Sequence, residues 1–228
     1  MAAVLIAHAS DTHDRPSLVR KITNSEAEVL ILTGDCISNL GRVPKTGYKI
    51  NPVNEVKYQE SWYRKQAKKW AADLKGRPVI CVRGNHDFIP YTRWLEHYGA
   101  DVFEITDTRP CVELLGRRWA GFRQVPYIDG EWAGETRQDD FPDIVRRALD
   151  YDPHVLVTHA PPAGILDGIG YGIRALNRAL TYPDALWDVE LSVKHHFFGH
   201  THTHGGKSEE IMGIWFHNGA CHFKEHEI

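Results

Sequence analysis

The sequence predicts a single α/β domain, and three observations carry that prediction. Short apolar runs rich in Val, Ile and Leu recur along the 228 residues, the right length for buried strands and too short for helices. Each run empties into a polar cluster that holds Asp, Asn or His. Between several of them lie stretches with apolar residues at helical spacing, and this alternation is how layered α/β folds are built.

Val4 to Ala7 is the first run, and it ends at the polar group from His8 to Asp14, which leaves Asp11 and His13 at a strand exit. Pro16 followed by Leu18, Val19 and Ile22 predicts a short helix, because proline is tolerated in a first turn. The run EVLILT, Glu28 to Thr33, is the second strand and stops at Gly34 and Asp35. Residues 36–54 carry Gly41, Pro44, Gly47 and Pro52 without a period and read as an exposed loop. Val56, Tyr63, Ala67, Trp70 and Leu74 then mark an amphipathic helix that closes near Gly76. PVICVR, Pro78 to Arg83, is the third strand, and it delivers Gly84, Asn85, His86 and Asp87.

Residues 101–122 contain VFEI, CVELL and RWAGF with few helix signals between them, which predicts an antiparallel section. A helix from about Asp139 to Leu149 leads to HVLVT, His154 to Thr158, a strand ending at His159. The glycine-rich PPAGILDGIGYG that follows reads as a loop, HHFF ends at Gly199 and His200, and IMGIWFHNGACHF reads as two closing strands. No repeat or composition break divides the chain, so residues 1–228 are expected to form one domain.

Charged residues at 25% and hydrophobic ones at 42% are ordinary for a globular protein and exclude a disordered or fibrous one. A net charge of -3 leaves no basic stripe of the kind that grips nucleic acid in general. The opening MAAVLIAH has no basic start and is too short for a signal core or a membrane span, so a cytoplasmic protein without membrane attachment is expected. Cys36, Cys81, Cys111 and Cys221 are scattered with no C-x-x-C pair, against both a thiolate zinc site and a redox motif. Histidine is the unusual feature: there are 14.

Strands that are apolar along their length and polar at their exits bring those exits to one sheet edge, where open α/β proteins build ligand sites. The exits here carry D-x-H, G-D, G-N-H-D, a lone His and G-H-x-H, which makes Asp11, His13, Asp35, Asn85, His159, His200 and His202 candidate metal ligands. Carboxylates, neutral imidazoles and one amide oxygen suit borderline or hard divalent ions. Seven donors exceed the needs of one zinc ion, and a bridging carboxylate between two ions accounts for the surplus. Gly34, Gly84 and Gly199 each precede a candidate ligand, where positive φ or close backbone approach is expected. Taken singly these motifs are weak, since Gly34-Asp35 alone is an ordinary turn and GHTHTHGG alone could be a solvated loop; their order along the chain gives them weight.

In that order, Asp11-Thr12-His13, Gly34-Asp35, Gly84-Asn85-His86-Asp87, His159 and Gly199-His200-Thr201-His202 resemble the signature of the calcineurin-like metallophosphoesterase superfamily across almost the whole chain. The resemblance implies a four-layer α/β/β/α sandwich, two mixed β-sheets face to face between helices, with the metals at one edge. It implies that Asp11, His13 and His202 hold one divalent ion, that Asn85, His159 and His200 hold the other, and that Asp35 bridges them. Mn2+ is favoured, with Fe, Zn, Ni or Mg as alternatives. His86 would face the scissile phosphate as general acid, with Asp87 fixing its tautomer through the other ring nitrogen.

Chemistry of this kind needs no Ser or Cys nucleophile, since a metal-held hydroxide attacks in line. Asp35 is followed by CISNLG, so the G-D-x-x-D-R-G pattern of the protein phosphatase branch is absent, while THAPPAGILDG resembles the small phosphodiesterase-like branch. The expected reaction is hydrolysis of a small-molecule or nucleotide phosphodiester, with a phosphomonoesterase as the alternative and a non-catalytic scaffold of the same fold as a third reading. Substrate selection is expected in loops 36–54, 123–137 and 160–174, with Arg42, Arg123, Tyr127, Tyr171 and Arg174 as grips. Asn85 and His86 are expected to touch substrate too. His204, two residues past His202 in an alternating segment, would face the same side and join them, and Asn218 would support the site. The remaining histidines read as surface or supporting residues.

Overall fold

The computed structural model describes residues 3–40, 50–74, 76–168, 170–182 and 191–228. In chain order the elements are β1 (Leu5–Ala9), α1 (Pro16–Asn24), β2 (Val29–Leu32), α2 (Pro52–Leu74), β3 (Val79–Cys81), α3 (Tyr91–His97), β4 (Val102–Glu104), β5 (Cys111–Leu114), β6 (Arg117–Phe122), β7 (Val125–Pro126) and β8 (Glu135–Thr136). They continue with α4 (Phe141–Leu149), β9 (Val155–Thr158), α5 (Arg174–Thr181), β10 (His195–Phe198), β11 (Ser208–Ile211), β12 (Ile214–Asn218) and β13 (Phe223–Glu227).

The strands form two large mixed sheets, ordered β13-β1-β2-β3-β4 and β11-β12-β10-β9-β6-β5, and a small β7-β8 ribbon. Period-2 alternation divides the side chains of each strand between two cores. In the first sheet Ile6, Val29, Ile31 and Ile80 meet Trp119, Val155, Val157 and Phe197 of the second, forming the inter-sheet core. On the outer face of the first sheet Ala7, Leu30, Leu32 and Val79 pack under α1, α2 and α3 through Ile22, Tyr63, Ala67, Trp70 and Leu95. On the outer face of the second, Phe122, Leu156, Phe198 and Phe216 receive Phe141 and Val145 of α4 and Leu176 and Leu180 of α5. Helix, sheet, sheet, helix is the four-layer order the sequence resemblance implied.

Two expectations change. The 101–122 section is not one antiparallel unit: β4 adds parallel to β3 at the edge of the first sheet, and only β5 and β6 form an antiparallel pair, in the second. The apolar run VFEI looks alike in either setting, so periodicity could not assign its sheet. The tail makes three strands, because a turn at Met212-Gly213, with φ of +51° and +75°, folds β11 onto β12 before the chain crosses to pair β13 with β1. The short helices α3 and α5 add to the sequence reading; α5 carries Leu176, Ala179 and Leu180 at helical spacing directly behind the glycine-rich loop. No helix among the described residues is long and apolar enough to cross a membrane.

Candidate metal centre

Five strand exits converge at one edge of the sandwich. β1 leads to Asp11 and His13, β2 to Asp35, β3 to Asn85 and His86, β9 to His159, and β10 to His200 and His202. Parallel pairing of β1 with β2 and β2 with β3 points the first three exits one way, parallel pairing does the same for β9 and β10, and the contacts of His200 with Asp11 and of His159 with Asn85 join the two sets. Backbone in tight positions is what this convergence demands. Asp11, His13, Asp35 and His200 all have positive φ, between +42° and +68°, a conformation that costs a non-glycine residue of order 1–3 kcal/mol and is held only where surrounding structure insists on it. The glycines behave as expected from sequence. A Cβ on Gly84 would fall on the carboxylate of Asp35, one on Gly199 on Ser10 and Asp11, and one on Gly34 would come within 2.5 Å of His159 Nδ1.

Each buried carboxylate is held by one oxygen and offers the other. Asp11 Oδ2 accepts the Ser10 hydroxyl at 2.7 Å and the His200 amide at 2.9 Å, leaving Oδ1 3.1 Å from His202 Nε2. Asp35 Oδ1 accepts the His86 amide at 2.7 Å, leaving Oδ2 3.4 Å from His159 Nε2. The imidazoles are oriented likewise: His159 Nδ1 donates to the Thr33 carbonyl at 2.6 Å, and His13 Nδ1 lies 3.0 Å from Asn39 Oδ1, which turns each Nε2 inward. Asn85 Oδ1 stands 3.0 Å from both His159 Nε2 and His200 Nδ1, joining these two histidines to one group.

Among the described residues two sets bring ligand atoms within 4.8 Å of one another, Asp11-His13-His202 and Asp11-Asp35-His159. The charges fit cations. Burial opposes ionisation of Asp35, yet His159 and His86 hold its pKa well below the ordinary value. Burial also opposes charge on His159, but Asp35 raises it to about 9. The hydrogen bond to Asp11 raises His202 to about 10. Two neighbouring buried carboxylates thus require positive charge between them, and with protein alone protons on imidazole supply it. A divalent ion bound through the same nitrogens would replace those protons. Oxygen and nitrogen donors with no thiolate suit such an ion; the buried Cys36 turns its sulfur to the Gly34 carbonyl.

Other expectations divide. Asp87 does not meet the ring of His86: its Oδ2 accepts the amides of Asp35 and Gly84, both at 2.8 Å, so it binds two site loops to each other. The ring of His86 packs instead against His13, centroids 5.0 Å apart, and Trp132, 4.2 Å apart. Its carbonyl accepts Asn39 and Gln59, the latter from the buried stripe of α2. His204 does not face the way of His202, because residues 202–204 form a 3-10 turn rather than a strand, and its ring lies against Gly168. Thr203 lines the cleft in its place. Asn218 supports the site as expected, donating to the carbonyls of Leu166 and Thr201 and so fixing the turn between His200 and His202.

The cleft over these ligands has a volume of about 300 Å3 and is walled by Ile128, Trp132 and Tyr171 as well as the metal-edge residues. Of the expected grips, Tyr171 lines it. Arg123 turns inward to the Gly84 carbonyl, Tyr127 is 59% exposed, and Arg174 lines a separate hollow between α4 and α5. Arg42 lies outside the described residues. Ile128, Trp132, Gln59 and Asn39 escaped the sequence reading; only the position of the 123–137 loop pointed towards the first two.

Two mixed sheets face to face, with oxygen and nitrogen donors gathered at the ends of their parallel strands, make this a layered α/β protein with a candidate metal centre at one sheet edge. Residues 4–204 match the calcineurin-like phosphoesterase family, and the chain belongs to it. A protein of Emericella nidulans described as a probable rhamnogalacturonate lyase C is 24% identical over 218 residues; the match takes in 92% of this chain but 18% of that protein, so the chain spans under a fifth of that curated relative's length. The Thermus thermophilus sulfate thiohydrolase SoxB, solved with glycerol, aligns with 84% of this chain and 33% of its own at 13% identity and a TM-score of 0.40.

Proposed function

We propose that this chain is a phosphodiesterase that uses two divalent ions, Mn2+ foremost, to hydrolyse a small-molecule or nucleotide phosphodiester. The observation that carries the reading is the convergence of Asp11, His13, Asp35, Asn85, His159, His200 and His202 on one edge, with one oxygen of Asp11 and of Asp35 already engaged and the rings of His13 and His159 oriented by their Nδ1 partners. Asp11, His13 and His202 would hold one ion, Asn85, His159 and His200 the other, and Asp35 both. Two such ions would supply charge neutralisation at the phosphate and activation of water.

The protein's own groups do the rest. Asn85 is placed to touch a phosphate oxygen from inside the cleft, and His86 stands beside it to give the departing oxygen a proton. Burial lowers the pKa of His86 while Asp35 opposes that effect; a bound phosphate anion would add to the opposition and favour the protonated ring. A poor alkoxide leaving group benefits from such an acid in a diester and a monoester alike; what favours the diester is the resemblance of THAPPAGILDG to the small phosphodiesterase-like branch. A cleft of about 300 Å3 is at the small end for ligand sites and suits a small-molecule phosphoester. Four free thiols suit a reducing cytoplasm.

The test compares turnover of bis(p-nitrophenyl) phosphate with that of p-nitrophenyl phosphate by the Mn2+-loaded protein. Preference for the diester is expected; strong preference for the monoester would replace this reading with a phosphomonoesterase. Failure to bind Mn2+, Fe2+, Zn2+ or Ni2+ at all would leave a scaffold.

A further inference from the structure

We propose that Trp132 is a specificity-determining residue that selects esters whose departing group carries a flat ring. The inference rests on the phosphoesterase reading above and adds to it the class of leaving group.

Trp132 is half-buried, and its ring centroid lies 4.2 Å from that of His86 at an interplanar angle of 51°. The segment that carries it is braced, not loose. The Ala133 amide donates to the Asn85 carbonyl at 3.1 Å, anchoring Trp132's neighbour to the loop that carries His86. Glu135 Oε1 accepts the amides of Ile128 and Asp129 at 2.8 and 3.0 Å, closing the arm at its other end. Tyr171, 39% exposed, lines the same cleft with its ring 6.2 Å from that of His200.

Holding a phosphate requires cations and hydrogen-bond donors, which the strand exits already provide. Ile128, Trp132 and Tyr171 add apolar and aromatic surface to the cleft; Trp132 and Tyr171 spend part of it on the rings of His86 and His200 and, being half-buried and 39% exposed, leave the rest to whatever is attached to the phosphate. Its position follows from the acid. A proton donor must stand within hydrogen-bond reach of the atom it protonates, so the group attached to the departing oxygen passes His86, and the surface beside His86 is the ring of Trp132. A flat aromatic group stacks there; an alkyl chain gains far less from the same face.

The full chain reconstituted with Mn2+ tests this as wild type, Trp132→Ala and Trp132→Phe, on p-nitrophenyl phosphate and n-butyl phosphate and on the matching bis(p-nitrophenyl) and dibutyl diesters. The readout is the aryl-to-alkyl ratio of kcat/KM. Trp132→Ala is expected to lower that ratio roughly tenfold or more, mainly through KM for the aryl ester, as loss of one ring stack does. Trp132→Phe should restore most of it. Simple misplacement of His86 moves the ratio the other way, because a butoxide needs the proton far more than a nitrophenolate. An unchanged or raised ratio overturns the proposal and leaves the phosphoesterase reading standing. A wild type that turns over none of the four esters with Mn2+, Fe2+, Zn2+ or Ni2+ overturns that reading, and this inference with it.

Discussion

Asp87 Oδ2 accepts the backbone amide of Asp35 at 2.8 Å, tying the exit of β2 to the exit of β3 from beneath the site. The same oxygen takes the Gly84 amide, and the residue is fully buried. Asp87→Ala would orphan both amides at a cost of about 1–3 kcal/mol each. The urea midpoint of metal-free protein should fall accordingly, with Asp87→Asn, which keeps an acceptor, in between. An unchanged midpoint for the alanine variant would refute the bracing role.

His86→Ala separates acid chemistry from ion binding. His86 lends its backbone amide to Asp35, and alanine keeps that amide. Elemental analysis should therefore find the wild-type metal content. Turnover of an ester with an alkyl leaving group should drop by roughly 10²- to 10⁴-fold, the usual worth of a positioned acid. Loss of metal alongside loss of rate would instead make the ring a ligand.

Gly84→Ala tests the tightness of the edge without touching a side-chain donor. The added carbon lands on the Asp35 carboxylate, so Asp35 must leave its place between His159 and the His86 amide. Calorimetric titration with Mn2+ should show affinity falling by an order of magnitude or more, the size reported for disturbed metal surroundings. Wild-type affinity would show that the loops yield easily.

Acid sensitivity should come from a second group of histidines, inside the sandwich. His217 lies 4.2 Å from His226 and 4.5 Å from Phe197 between ring centroids, with His195 Nδ1 3.3 Å from its Nε2, and His8, Lys224 and Ser208 close by. Burial, followed by its charged neighbours, lowers His217 to about 2, and burial lowers His195 and His226 to about 4. These rings are neutral when folded, whereas in the unfolded chain they titrate near their ordinary 6.5. Protons on these three rings then favour the unfolded state from pH 6.5 down to about 4, so their contribution to stability is greatest above that window and falls as pH drops through it. Asp87, raised to about 6 by burial, and His159 and His202, raised to about 9 and about 10, work in the opposite sense. For chelated protein the urea midpoint should fall between pH 7 and pH 5, and His217→Phe should flatten that dependence. Equal slopes in the two proteins would remove His217 from the effect.

The ligand set was legible in the sequence because chemistry and topology repeat each other there. Every candidate donor follows an apolar run, and strands such as β1 and β2 can empty nowhere except a sheet edge. What stayed hidden depended on local turns and on distant packing. His204 looked like a strand neighbour of His202 until a 3-10 turn rotated it away. Asp87 reads in sequence as a partner for the ring beside it, whereas its carboxylate takes the amides of Asp35, 52 residues away, and of Gly84. Gln59 sits on α2 at the spacing of the core residues, and nothing in its neighbours announces that it accepts the amide of Phe88 at 2.9 Å. Trp132 is one aromatic in an irregular loop, and only the folded chain brings it to His86.

The crossing of β13 onto β1 sets an order of events. β1, which leads into Asp11 and His13, is made before its antiparallel partner, paired from Leu5↔Glu227 to Ala9↔Phe223, which emerges more than two hundred residues later. Until then one edge of that strand has no neighbour to satisfy it. Bonds spanning so much chain close slowly, and an open strand edge in the interval is a place where other chains can attach. Asp11 and His13 therefore gain their full scaffold only once β13 has been made, and a nascent chain stalled short of β13 would carry its motifs in sequence without yet having fixed that scaffold.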